Sequence, residues 1–385
     1  MVPLQRVTVR DAAAAALLGA VAFSCRLALA NVLLLTALAL GWWAWRRGEL
    51  AGRPYARPLL PPMLAFAVVS VVAAVASLEP LVSLRATVRL LVFALVPLTA
   101  AVADERWWSR LVVALAGVGG VLAVWGIVEY HLGADSLENR IRGPLSHYMT
   151  YSGWLLLVVL VLVAELVLAP RRRLWLGIPA VLGASALLLS FTRNAWVGLA
   201  AGLLLLAVLW RRRLLLVYPV VAVALLVVLP RTVVERAIST VDLRQPANYD
   251  RLCMLISGVQ MVRDHPWTGV GPGTVSRVYS LYRRDDAPRW RVPHLHNNVL
   301  QLAAERGLLG AAAYLWLVGA FALGAWRSAA SGKGAMRTAA AACLVAVTGI
   351  TVAGLFEYNF WDAEIQYLTL ALLGVGAGAG ERVTP

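Results

Sequence analysis

Long apolar runs alternate with short polar connections through most of the chain, and the alternation is set by helical length rather than by a two-residue period. A membrane-crossing helix takes about 20 mostly apolar residues. Runs of that size lie near 11–26, 28–45, 59–78, 81–103, 109–131, 147–169, 174–190, 195–210, 214–229, 299–326, 338–356 and 363–380. The pattern predicts an all-α integral membrane protein with about 12 transmembrane helices, the first two forming one stretch broken near Cys25-Arg26. Arg6 and Arg10 before the first run resemble the start of a signal peptide, but no convincing cleavage site follows, so that helix is expected to be retained. The pattern is interrupted once on a large scale, over 230–298, a segment too polar to span. The chain therefore divides into nine spans over 1–229, a long outer loop over 230–298, and three spans over 299–385.

Composition supports this reading: 61% of residues are hydrophobic and 14% charged, against roughly a quarter charged in soluble folds. The formal charge of +15 is scattered in short clusters between apolar runs, which argues against nucleic-acid binding and for cytoplasmic loops of a membrane protein. With the N-terminus inside, the clusters at Arg46/Arg47/Arg53/Arg57, Arg106/Arg110, Arg171–Arg173, Arg211–Arg213, Arg327/Lys333/Arg337 and Arg382 all fall on one side. Both termini are then cytoplasmic, and the outer segments are 77–80, 132–147, 190–194, 230–298 and 356–362. Cys25, Cys253 and Cys343 show no metal-ligand or disulfide spacing.

Candidate chemistry gathers on the outer face, where four of the five histidines lie. In the long loop Leu252, Leu255, Ile256 and Val259 recur at helical spacing, with Asn248 or Asp250 as N-cap and a stop near His265-Pro266. Arg251 would then sit in the first turn of a helix, where a cation is unfavourable without an anion beside it. Arg193 stands where the eighth span begins, and two such arginines on one face point to an anionic ligand such as a phosphate. Interfacial snorkelling is the competing reading for either one. The glycine run 269–273 lacks the lysine and the strand-to-helix setting of a phosphate-binding loop and reads as a tight turn.

His294-Leu295-His296-Asn297-Asn298 leads directly into the tenth span. A histidine there suits a general base. Helix capping by Asn297 or Asn298 ranks second, and metal binding last, because no further ligand accompanies His-x-His at a suitable spacing. Arg140 through Tyr148 adds candidates for sugar or phosphate contact, and Glu357 is an ionisable group between the last two spans.

Three stretches carry a family resemblance: 190–196 around Arg193, 251–271 from Arg251 to the glycine turn, and 294–310 from the histidine pair to Glu305-Arg306-Gly307. Together they resemble the O-antigen ligase and O-antigen polymerase superfamily of bacterial envelope glycosyltransferases. The resemblance implies a GT-C-like fold in the inner (cytoplasmic) membrane and a metal-independent, cofactor-free, inverting transfer at the periplasmic face. It implies a glycan on undecaprenyl diphosphate as donor and a lipid A-core sugar or another glycan as acceptor, in contact with membrane lipids. By this resemblance Arg193 and Arg251 would bind the donor diphosphate and His296 would activate the acceptor hydroxyl. His294, Arg291, Arg142 and Asn297 would contact substrate. The single dominant outer loop favours a ligase over a polymerase. A transporter or lipid flippase would instead show internal repeats and mid-membrane ionisable groups, and the sequence displays neither.

Overall fold

The computed structural model describes residues 8–169, 173–228, 230–238, 245–332 and 334–381. Arg6, Arg171, Arg172, Lys333 and Arg382 of the charge pattern, and 239–244 of the long loop, lie outside the described residues. Helices dominate, and the one β-bridge among the described residues pairs Asp135 with Arg140.

In chain order the helices are α1 (Val9–Ala22), α2 (Leu27–Arg46), α3 (Leu60–Val75), α4 (Pro80–Thr87), α5 (Leu95–Val102), α6 (Glu105–His131), α7 (Tyr148–Leu168) and α8 (Gly177–Leu189). They continue as α9 (Arg193–Trp210), α10 (Leu214–Val228), α11 (Arg231–Ile238), α12 (Pro246–Asp264), α13 (Val275–Tyr282), α14 (Asn298–Ser331), α15 (Gly334–Ala353) and α16 (Ala363–Glu381). Among the described residues 8 helical stretches are long and apolar enough to cross a membrane. The other four predicted positions hold α1 and α10, of 14 and 15 residues, the short apolar α8, and α16, whose apolar part is Ala363–Ala379. The stretch Pro80–Val102 is split by a 3-10 segment at Val88–Ala94. Pro97 explains the split, since it donates no amide and its ring collides with the carbonyl one turn earlier.

The core forms where α7, buried along most of its length, is wrapped by α6, α8, α9, α15 and α16. Helices α9 and α15 cross so closely that a methyl group on Gly198 would strike the Gly349 carbonyl, a small-residue contact of the kind that lets membrane helices approach. One end of the bundle is tied by charges from loops predicted to be inner. Arg10 pairs with Asp104 at 3.0 Å, Arg173 with the buried Glu165 at 3.1 Å, and the Ala335 amide donates to Glu105. The N-termini of α7, α9 and α14, together with α12, meet at the other end.

Helix α14 begins at that end with a break. Gly307 has φ 70° and ψ −179° inside the 34-residue helix, a conformation open essentially to glycine alone. The bend lets the Leu308 amide donate to the Pro266 carbonyl, and the Val270 and Gly271 amides donate to the Ala304 and Glu305 carbonyls. The glycine run 269–273 is thus a turn that docks on α14 and on Ser77, whose hydroxyl donates to the Val270 carbonyl. Gly307→Ala is expected to cost about 1–3 kcal/mol from backbone strain alone, and the added methyl would meet the Trp267 carbonyl. A thermal midpoint in detergent equal to wild type would show that the kink can re-form without glycine.

Two local expectations differ from the structure. Helix α12 starts at Pro246 after Gln245, with no side-chain cap, so neither Asn248 nor Asp250 caps it and Arg251 lies in its second turn. A proline at the first helical position, whose missing amide is no loss there, moved the start forward. The helix also buries Cys253, Met254, Ser257, Gly258 and Met261, leaving Leu252, Leu255 and Val259 exposed. Gly258 sets this rotation: Leu295 and Leu300 pack where its side chain would be.

Candidate active site

The His-x-His segment is held by its flanks. Asn297 caps α14, accepting from the Leu300 amide at 2.8 Å, and its Nδ2 donates to the Leu355 carbonyl. Asn298 is buried, donates to Asn359 Oδ1 at 2.8 Å and accepts from the Phe360 amide. Gln301 accepts from the Leu295 amide at 2.8 Å, and its own amide group donates to Glu305. These bonds lash the start of α14 to the 354–360 connection and carry Glu357 to the histidines across 61 residues of sequence.

His296 turns through the left-handed region, with φ 52°. Its Nδ1 lies 2.7 Å from Glu357 Oε2, and His294 Nε2 lies 3.5 Å from Glu357 Oε1. Burial alone would raise the Glu357 carboxyl, but the hydrogen bond from His296, with the electrostatic pull of its neighbours including Arg251, outweighs it and holds the group below its usual value. An ionised Glu357 requires His296 to carry its proton on Nδ1, which leaves the Nε2 lone pair as the basic position. Burial lowers His294 to about 4, against the opposing pull of Glu357, so that imidazole is neutral near pH 7. Because the unfolded chain binds that proton more readily, stability should fall as pH drops from 6.5 toward about 4. His294→Gln should flatten this dependence of the thermal midpoint; an unchanged slope would assign it to other groups.

Phe191, just before α9, also adopts a left-handed conformation, with φ 53°. It starts α9 at Arg193, a residue 7% exposed whose Nη2 donates to Asn248 Oδ1 at 2.5 Å. Arg251 faces the same space, with Nη2 3.9 Å from Glu357 Oε2. Both left-handed residues are non-glycine and both line the cavity, the sort of place where backbone strain is retained for function.

These groups line one cavity of about 390 Å³ at the end of α7. Its wall holds five arginines (Arg140, Arg193, Arg236, Arg251 and Arg289) and two carboxylates, Glu357 and Asp362. Burial, and then the neighbouring arginines, lower Arg236 to about 10. Burial also lowers Arg140, whose guanidinium sits 4.3 Å over the Tyr148 ring. Arg289 is paired with Asp250. Like charges gathered in a partly buried space repel one another, and a polyanion bound among them offsets that repulsion.

Of the residues singled out in the sequence, the cavity brings together Arg193, Arg251, His294, His296 and Glu357. Arg142 and Arg291 do not line it: the Arg142 amide donates to Glu129 and Arg291 is exposed. Arg140 and Arg289, each two residues earlier, take the inward positions. Asn297 acts as a cap. Glu357 stands where a third ligand for the His-x-His pair could, since metal-ligating atoms of His294, His296 and Glu357 lie within 4.8 Å of one another. The 2.7 Å contact between His296 and Glu357 joins a donor to an acceptor directly, an arrangement suited to orienting an imidazole. His147 and Tyr148, from the 140–148 segment, line the cavity too, as does Arg236, which no spacing in the sequence distinguishes from other loop residues. All three cysteines are free and buried.

Compared with known families, residues 178–315 match the family described as O-antigen ligase. The matched stretch contains Arg193, Arg251, His294 and His296, whereas Arg140, His147 and Glu357 fall outside it. No curated protein matches the chain.

Proposed function

We propose that this chain, whose residues 178–315 match the family described as O-antigen ligase, is a glycosyltransferase that moves a glycan from undecaprenyl diphosphate to a lipid A-core sugar. The reading takes the fold as GT-C-like, the membrane as the bacterial inner membrane, and the cavity as facing the periplasm. Its main support is the convergence of Arg193, Arg251 and a Glu357-oriented His296 in one basic cavity.

In this mechanism the arginines hold the donor diphosphate, and Nε2 of His296 takes the proton from an acceptor hydroxyl. The acceptor oxygen forms a bond to the anomeric carbon as the bond from that carbon to the diphosphate oxygen breaks, with inversion. The electron pair leaves on the diphosphate, where fixed cations offset the developing charge. No step calls on a metal ion. Purified protein reconstituted with an undecaprenyl-diphosphate glycan and lipid A-core, with a chelator present, should form the glycosylated core. If the product is instead a lengthened lipid-linked glycan, the polymerase reading takes its place. Failure to use either acceptor would remove the transferase reading.

A further inference from the structure

A second cavity, of about 270 Å³, shares a wall with the basic one: Pro293, His294, Tyr358 and Asp362 line both. We propose that this smaller cavity binds the acceptor glycan and delivers its hydroxyl past His294 to the donor. The proposal rests on the transferase reading and deepens it.

The two cavities differ in chemistry. The larger offers five arginines against two carboxylates and so selects an anion. The smaller offers Arg89 against Glu305 and Asp362, together with Ser276 and Gln301. Mixed donors and acceptors with little net charge suit a neutral polyhydroxylated ligand. Its back wall is rigid. The Leu295 amide, Gln301, Glu305, Arg306 and Ser70 form a continuous buried hydrogen-bond chain, with Arg306 donating to Glu305 at 2.5 Å and to Ser70 at 3.0 Å. Such a satisfied network holds the wall in place and leaves Arg89, Ser276 and Asp362 among the polar groups lining the cavity outside it. On the shared wall Asp362 accepts from the Thr150 hydroxyl at 2.6 Å through Oδ2, which fixes its carboxylate at the junction of the two cavities.

The walls also come from different parts of the chain. Arg89 follows α4 and Ser276 lies on α13, neither of which contributes to the basic cavity. Two substrates can therefore enter from separate sides and meet at the histidines, as a direct displacement demands.

The test uses the full-length protein in liposomes. Ser276 is exposed and the three native cysteines are buried, so Ser276→Cys supplies one thiol reactive to a maleimide. Lipid A-core, or a lipid-linked repeat unit if that is the acceptor used, should slow its labelling, and undecaprenyl diphosphate should not. Ser276→Trp should raise the acceptor KM by about 10-fold or more, with undecaprenyl diphosphate affinity unchanged. Equal protection by undecaprenyl diphosphate would assign the cavity to the donor and overturn the proposal. Absent protection with an unchanged KM would also overturn it, while leaving transfer itself intact. A wild-type protein that glycosylates neither acceptor would remove the transferase reading and this proposal with it.

Discussion

Replacing His296 with alanine is expected to lower the rate of glycan transfer by about 10²–10⁴-fold, the range for loss of a positioned general base. Donor affinity should change little, because the imidazole meets the acceptor hydroxyl and not the diphosphate. The expectation follows from the pair His296 Nδ1 and Glu357 Oε2 at 2.7 Å, which fixes the tautomer and leaves Nε2 as base. Glu357→Gln should lower kcat in the same direction with the acceptor KM nearly constant, since an amide no longer demands the Nδ1–H tautomer. The backbone supplies a control. His296 occupies φ 52°, a region asparagine tolerates better than alanine, so His296→Asn separates lost chemistry from lost folding. Wild-type kcat in a folded His296→Asn protein would exclude His296 as the base.

The bundle was legible in the sequence because its signal is one-dimensional. Apolar length and the side on which arginines cluster need only the chain itself, and helices stand near each predicted position. Length failed at α1, whose helix ends at Ala22, before its apolar run does. The site was legible where a residue's role follows from its neighbours in sequence. Arg193 begins α9, and His294 and His296 precede α14, so local patterns reached them. Arg251 was reached by a partly faulty route, since the helix begins earlier and the dipole argument does not apply to its second turn. Glu357 was visible only as an ionisable group near the membrane; that it grips His296 depends on Asn298 and Asn359 joining two distant segments. Choosing Arg142 and Arg291 over Arg140 and Arg289 shows the remaining limit. In irregular segments no helical period says which side chain turns inward, and a shift of two residues carries no sequence signature.

Removing Arg193 and Arg251 together is expected to abolish measurable donor binding. A hydrogen bond to a charged partner contributes about 1.5–3 kcal/mol, so each single alanine variant should weaken undecaprenyl diphosphate binding by roughly 10- to 150-fold. The two positions should not be equivalent. Arg193 is 7% exposed, so its charge is poorly screened and its loss should fall mainly on donor affinity. The Arg251 side chain is 28% exposed and lies 3.9 Å from Glu357; its loss also removes a cation that helps keep Glu357 ionised. Arg251→Ala should therefore lower kcat as well as affinity, through weaker orientation of His296. Lysine at 251 keeps the charge without the planar fork, so Arg251→Lys should restore kcat more fully than affinity. Titration of undecaprenyl diphosphate into each purified variant measures the binding arm, and single-turnover transfer at saturating donor measures the chemical one. If the double variant binds donor like wild type, the basic cavity is not the diphosphate site. If Arg251→Ala changes affinity alone, the coupling from Arg251 through Glu357 to His296 is absent.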